Sequence, residues 1–190
     1  MLKSIRAVLT GAIIATAGLT AGPAMSEEVY MIRGFLNVFS DGMNQMTRQL
    51  KSRGIRAKTI SNGAWQGVAE DIIRRAKQKK VSYPIVIAGH SLGGVEATRF
   101  ANALGKAGVP VALVIGLDPG FPQPPAFTKG ARKVINYKIP SGKNYRKGAG
   151  FRGTIKTVDV SKYGTGHADI DENRKVQSLV IAQIRKAVKK

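Results

Sequence analysis

From Glu28 onward, short apolar runs alternate with stretches whose apolar positions recur every three or four residues. Val29–Arg33 is a β-rich run stopped by Gly34, and a helix is predicted over 41–53, with Met43, Met46 and Leu50 on one face and Gly54 closing it. Ile55–Ile60 reads as a second strand, and Val68–Lys80 as a second helix carrying Val68, Ile72, Ile73 and Ala76. Pro84–Ala88 and Val109–Ile115 are continuous apolar runs, the pattern of strands buried on both faces. A helix over 92–104, ended by Gly105, lies between them. Lys133–Ile139 and Thr154–Val160 are the last strands, and a final helix over 170–188 opens on the capping-box pattern Asp169-x-x-Glu172. This alternation predicts an α/β fold, a mostly parallel sheet of about six strands with helices on both faces. Pro140–Gly153 has no helical pattern, so the last two strands are joined either by a loop crossover or as an antiparallel hairpin.

Residues 1–26 stand outside that pattern. Lys3 and Arg6 precede an uncharged stretch, Ala7–Ser26, with an apolar middle at Leu9, Ile13, Ile14, Ala15, Ala17 and Leu19. Small residues from Ala21 to Ser26 follow, before Glu27 and Glu28. This order is that of a secretory signal peptide, leaving one domain over 27–190 and an exported protein, periplasmic or secreted. Ala24 and Ser26 would flank a cut before Glu27, while Gly22 and Ala24 offer an earlier one. The alternative is an uncleaved anchor, a segment that Thr10, Gly11, Thr16, Gly18 and Thr20 dilute.

Composition narrows the chemistry. With 43% hydrophobic residues, the 190-residue chain is too apolar for a disordered polycation, despite a formal net charge of +20. It has no cysteine, which excludes disulfides, thiolate nucleophiles and iron–sulfur clusters. His90 and His167 are its only histidines, too few for a His-rich zinc site. No metal and no cofactor is expected.

The strand at 84–88 runs into Gly89–His90–Ser91–Leu92–Gly93, a G-x-S-x-G placed where a buried strand meets a helix. There a sharp turn lifts a serine above the sheet, and a Cβ at Gly89 or Gly93 would clash across it. A serine hydroxyl needs a base. His90 adjoins Ser91 and should point away from it, as a packing or hydrogen-bonding residue of the elbow. His167, between the last strand and the last helix, is the candidate base. Asp118 follows the next strand on the same sheet edge and is the candidate acid. Asp159, Asp169 and Asp171 compete, Asp169 being better explained as a helix N-cap. The oxyanion formed by attack would be held by the backbone N–H groups of Leu92 and Phe35. Leu36, Val38 and Phe39 would make an apolar wall for acyl chains or belong to the core, and Asn37 and Ser40 would cap the first helix.

At these residues the chain resembles a small α/β-hydrolase of the lipase/esterase/thioesterase group. Gly89–Gly94 matches the lipase elbow G-H-S-L-G-G at every position, and Gly116–Leu117–Asp118–Pro119 resembles the acid segment of pancreatic-type lipases. The likeness extends over most of 28–188. It implies an exported serine hydrolase that cleaves carboxylic ester or thioester bonds, of small-molecule or lipid substrates, through an acyl-enzyme. Two features depart from the family: Arg33–Gly34 replaces the frequent His-Gly pair of the oxyanion loop, and no insertion is long enough for a substantial lid.

The cations cluster. Arg74, Arg75, Lys77, Lys79 and Lys80 end the second helix, and Arg185, Lys186, Lys189 and Lys190 the last, where they complement the helix dipole. Lys138–Lys156 holds Lys143, Arg146, Lys147 and Arg152 without an acid. Its glycines, with Tyr145 and Phe151 interleaved, predict a mobile loop. Export favours an anionic membrane or envelope surface as partner over nucleic acid. The competing class is therefore a hydrolase-like, non-catalytic protein that binds anionic envelope lipids or polysaccharide through this basic surface.

Overall fold

The computed structural model describes residues 27–35 and 40–189; the signal peptide expected over 1–26, the apolar wall expected of Leu36, Val38 and Phe39, and the cap expected of Asn37 lie outside the described residues. Six strands form one sheet: β1 (Glu28–Ile32), β2 (Ala57–Ile60), β3 (Ile85–His90), β4 (Val111–Leu117), β5 (Ala131–Lys138) and β6 (Thr154–Asp159). Their order is β2-β1-β3-β4-β5-β6 and every pairing is parallel. The helices are α1 (Asp41–Lys51), α2 (Trp65–Lys77), α3 (Leu92–Lys106) and α4 (Arg174–Val188).

Successive strand residues face opposite sides, and each face of the sheet has its own core. Val29, Met31, Val86, Ala88, Leu113 and Ile115 pack with Met43, Met46 and Leu50 of α1 and with Val176, Val180 and Ile184 of α4. Tyr30, Ile32, Ile85, Ile87 and Val114 pack with Ile72 of α2 and with Phe100 and Leu104 of α3. The uninterrupted apolar runs of β3 and β4 follow, since both their faces are covered. The chain runs outward to β2 on one side of β1 and to β3 through β6 on the other. Such a reversal leaves a crevice at the carboxyl ends of β1 and β3.

Several boundaries differ from the periodicity. β2 begins at Ala57, because Ile55 N–H donates to Leu50 O (3.0 Å) in closing α1 at Gly54. The Asp169-x-x-Glu172 pattern does not open the last helix: α4 starts at Arg174, and the Asn173 side chain accepts from the N–H groups of Lys175 and Val176. β5 and β6 are parallel, joined by a loop crossover over 139–153. That loop is pinned, contrary to the mobile segment that its glycines predict. Tyr145 is buried and its hydroxyl donates to Gly94 O (2.8 Å); Asn136 Nδ2 donates to Lys143 O (2.9 Å). The Phe127 ring packs between Tyr145, edge to face, and Phe151, with centroids 5.1 and 5.7 Å away. The aromatic residues, read as interleaved with charge, are anchors.

Tyr145→Phe removes one buried hydroxyl and leaves Gly94 O without that donor. It should lower the unfolding free energy by about 1–2 kcal/mol with an unchanged slope in urea melts; a wild-type midpoint would contradict the anchoring.

Candidate active site

Ser91 stands between β3 and α3 with φ 54° and ψ −122°, a conformation costly for any residue with a Cβ. Backbone packing enforces it. A Cβ on Gly89 would lie 2.1 Å from Gly93 O, and one on Gly93 would lie 2.4 Å from Ile32 O, so only glycine fits at either position. Ser91 N–H donates to Leu117 O (3.0 Å), and Ser91 O accepts from Gly120 N–H (3.3 Å). The elbow is thereby tied to the end of β4, where Asp118 sits.

His167 reaches this place from the loop after β6. Its Nε2 is 2.9 Å from Ser91 Oγ and its Nδ1 is 2.6 Å from Asp118 Oδ2. A carboxylate only accepts, so Nδ1 carries the hydrogen and Nε2 of the neutral ring accepts from the serine hydroxyl. Asp118 is buried, and its Oδ1 accepts from Ile139 N–H (3.2 Å). The His167 side chain is 47% exposed, so the assembly opens to solvent. The hydrogen bond to Asp118 raises the His167 pKa above the ordinary histidine value; partial burial opposes the shift, and the charges of Asp118 and Asp171 add to it.

The other acids do different things. Asp169 Oδ1 accepts from Gly166 N–H (2.7 Å) and from the Thr165 hydroxyl (3.2 Å), bracing the turn that carries His167 instead of capping a helix. Asp159 accepts from Ser161 N–H (2.8 Å). Asp171 is fully buried, with Oδ1 3.5 Å from His90 Nδ1. His90 points inward from the elbow, its Nδ1 2.9 Å from Ser40 Oγ. Ser40 occupies the N-cap position of α1 without capping it; Gly34 N–H donates to its Oγ (2.9 Å). The pairing of Ser40 with His90 has no local signature, since fifty positions separate them.

Leu92 opens α3, where the first N–H groups have no intrahelical acceptor. Gly34, before Phe35, lies against the elbow: a Cβ on it would be 3.3 Å from Ser91 Cβ. Phe35 is 66% and Phe121 85% exposed, two large apolar side chains that follow Gly34, which lies against Ser91, and Gly120, which lies against His167. Lys143 Nζ stands 5.3 Å from the Phe121 ring centroid. Among the described residues, no group of three or more His or acidic side chains is placed to hold a metal ion.

A model of the family described as Lipase (class 3) matches residues 12–140. No curated protein matches the sequence. Among solved structures, Est1E from Butyrivibrio proteoclasticus is similar with a TM-score of 0.52 and 12% identity, over 87% of this chain and 91% of that one. A hydrolase of the α/β superfamily from Xanthomonas campestris pv. campestris is similar with a TM-score of 0.50 and 13% identity, over 84% of this chain and 98% of that one. The NocB thioesterase domain, solved as a covalent complex with a fluorophosphonate nocardicin G analog, gives 0.50 and 13% over 88% and 96%. At these identities the likeness is one of fold: six parallel strands between two helical layers, an α/β-hydrolase.

The hydrogen bond of His167 to Asp118 should be visible in a titration. In NMR, the His167 ring should titrate above about 6.5, and Asp118→Asn should bring it down, because the imidazolium loses its anionic partner while burial still opposes charge. The sign for stability follows: the extra stabilisation is complete below the unfolded-state pKa and is lost as pH rises through the folded one. An unmoved titration in Asp118→Asn would contradict the pairing.

Proposed function

Because the chain belongs to the class 3 lipase family and is an ester-hydrolysing serine hydrolase of the α/β type, we propose that it cleaves carboxylic ester or thioester bonds with Ser91 as nucleophile, His167 as base and Asp118 as the acid that orients it. The observation that carries this reading is the continuous hydrogen-bonded chain from Ser91 Oγ through His167 to Asp118, open to solvent at the serine end. A second serine, histidine and aspartate also meet in this fold, but Ser40, His90 and Asp171 are all buried, out of reach of a substrate.

Ser91 Oγ attacks the carbonyl carbon while its proton passes to His167 Nε2. Asp118 stabilises the imidazolium and stays ionised. The tetrahedral oxyanion takes hydrogen bonds from Leu92 N–H and Phe35 N–H, the Gly34 N–H being occupied by Ser40. Collapse expels the alcohol or thiol, which leaves with the proton from His167. Water then attacks the acyl-enzyme, gives a proton to His167, and releases the carboxylic acid with Ser91 restored. The exposed rings of Phe35 and Phe121 favour an apolar acyl group, which they can cover against water.

The place of action is read from charge and from the leader. Residues 1–26 direct export, to the periplasm or the medium. Of the described Lys and Arg side chains, only Arg74, Arg75 and Arg99 sit in ion pairs, so most of the cationic excess faces solvent unneutralised. Such a surface suits an anionic membrane or envelope polysaccharide. A purely binding protein would need that surface but not the three aligned side chains.

A fluorophosphonate should label purified protein at Ser91 and p-nitrophenyl esters should turn over. Ser91→Ala should abolish both, and Asp118→Asn should lower kcat by roughly 10⁴. The acid limb of kcat/KM should fall at a pH above about 6.5, since the base must be neutral. Folded protein that neither labels nor turns over would refute the enzyme. Salt-sensitive binding to anionic vesicles should survive Ser91→Ala.

A further inference from the structure

Beneath the elbow, the buried Ser40, His90 and Asp171 take no part in those steps. Their connections reach the site from two sides. His90 Nε2 is 2.8 Å from the backbone carbonyl oxygen of His167. A carbonyl only accepts, so Nε2 carries a hydrogen, and in the neutral ring Nδ1 is then an acceptor. Ser40 Oγ stands 2.9 Å from that Nδ1 and itself accepts from Gly34 N–H at 2.9 Å. The donors therefore run in one direction: Gly34 N–H to Ser40 Oγ, Ser40 O–H to His90 Nδ1, His90 Nε2–H to the carbonyl of His167. One end is the turn that presents Phe35, the other is the residue that takes the Ser91 proton, and the middle link is the backbone neighbour of Ser91.

Asp171 closes this network. Its Oδ2 accepts from Met43 N–H (3.2 Å), and α1 approaches so tightly that a Cβ on Gly42 would lie 2.0 Å from Asp171 O. Gln177 Nε2 donates to the same carbonyl (2.9 Å). Burial, with Glu172 nearby, pushes the Asp171 carboxyl up to about 7. The network is buried, where hydrogen bonds are electrostatically stronger and an unmade one costs more than at the surface.

We propose that Ser40 and His90 are positioning residues: through this single buried chain they set the His167 loop and the Gly34–Phe35 turn in register about Ser91. The proposal rests on Ser91, His167 and Asp118 being the catalytic set. It makes His90, the second letter of the elbow motif, a brace between base and oxyanion turn, not a filler of the core.

The test is steady-state hydrolysis of p-nitrophenyl butyrate by wild type, Ser40→Ala, His90→Leu and His90→Gln. Thermal melts and fluorophosphonate labelling accompany it. A displacement of the reacting groups costs rate without costing substrate affinity. His90→Leu should therefore lower kcat on the order of 100-fold with KM within about threefold. Ser40→Ala should lower kcat about tenfold. His90→Gln, whose amide N–H still reaches toward the His167 carbonyl, should recover roughly tenfold of the loss. Folded variants with wild-type kcat, or with the loss confined to KM, overturn the relay. Should His90→Leu fail to fold, Ser40→Ala, which lacks a single oxygen, decides. Wild type that neither labels nor turns over removes the catalytic set and the relay together. Wild type that labels, beside a Ser40→Ala variant of equal kcat, removes the relay alone.

Discussion

Gly93 packs against the carbonyl of Ile32 so closely that a Cβ would stand 2.4 Å from the oxygen, and Gly89 meets Gly93 at 2.1 Å on the same terms. This contact of bare backbone between the β3–α3 turn and the end of β1 governs where every other part of the site can be. It goes with Ser91 at φ 54° and with Gly34 lying against the serine. The strain at one serine is offset by two cores that cover both faces of β3 and β4. A less buried strand could not hold the residue that follows it in that conformation.

Asp118 and His167 come to this turn from far along the chain. Asp118 is held by Ile139 N–H on one oxygen and by His167 on the other. Its position after β4 follows from the sheet order, because β4 is the strand next to β3. His167 has no strand beneath it. Its loop is shaped by Asp169, which bonds Gly166 N–H and Thr165, and by the carbonyl contact to His90. Asp169 shows how one residue type misleads: an aspartate three residues before a glutamate reads as a helix cap, and the same side chain can cap a turn. The helix waits for Asn173, whose side-chain Oδ1 accepts from two N–H groups.

The cationic stretch after β5 illustrates the opposite error. Four glycines among lysines and arginines read as mobility, yet Tyr145 and Phe151 sink beside Phe127 and fasten the crossover to α3 and β4. The cations are left outward, so the loop is firm within and charged without. The cationic excess thus describes the outer surface of the domain, while the crevice is built on a few directed hydrogen bonds.

The layered fold and the prominence of Ser91 are legible along the chain, because both are local: apolar period, run length and a glycine pair around a serine are fixed by neighbouring residues. Asp118 and His167 are marked too, by their place after strands. Which side chains meet is a matter of packing in three dimensions. That Asp118 and not Asp159, Asp169 or Asp171 faces His167, that β6 runs parallel to β5, and that His90 turns inward to Ser40 all depend on strand order and on backbone approaches of a few ångströms. No sequence spacing encodes those distances, since they arise when two cores close over one sheet.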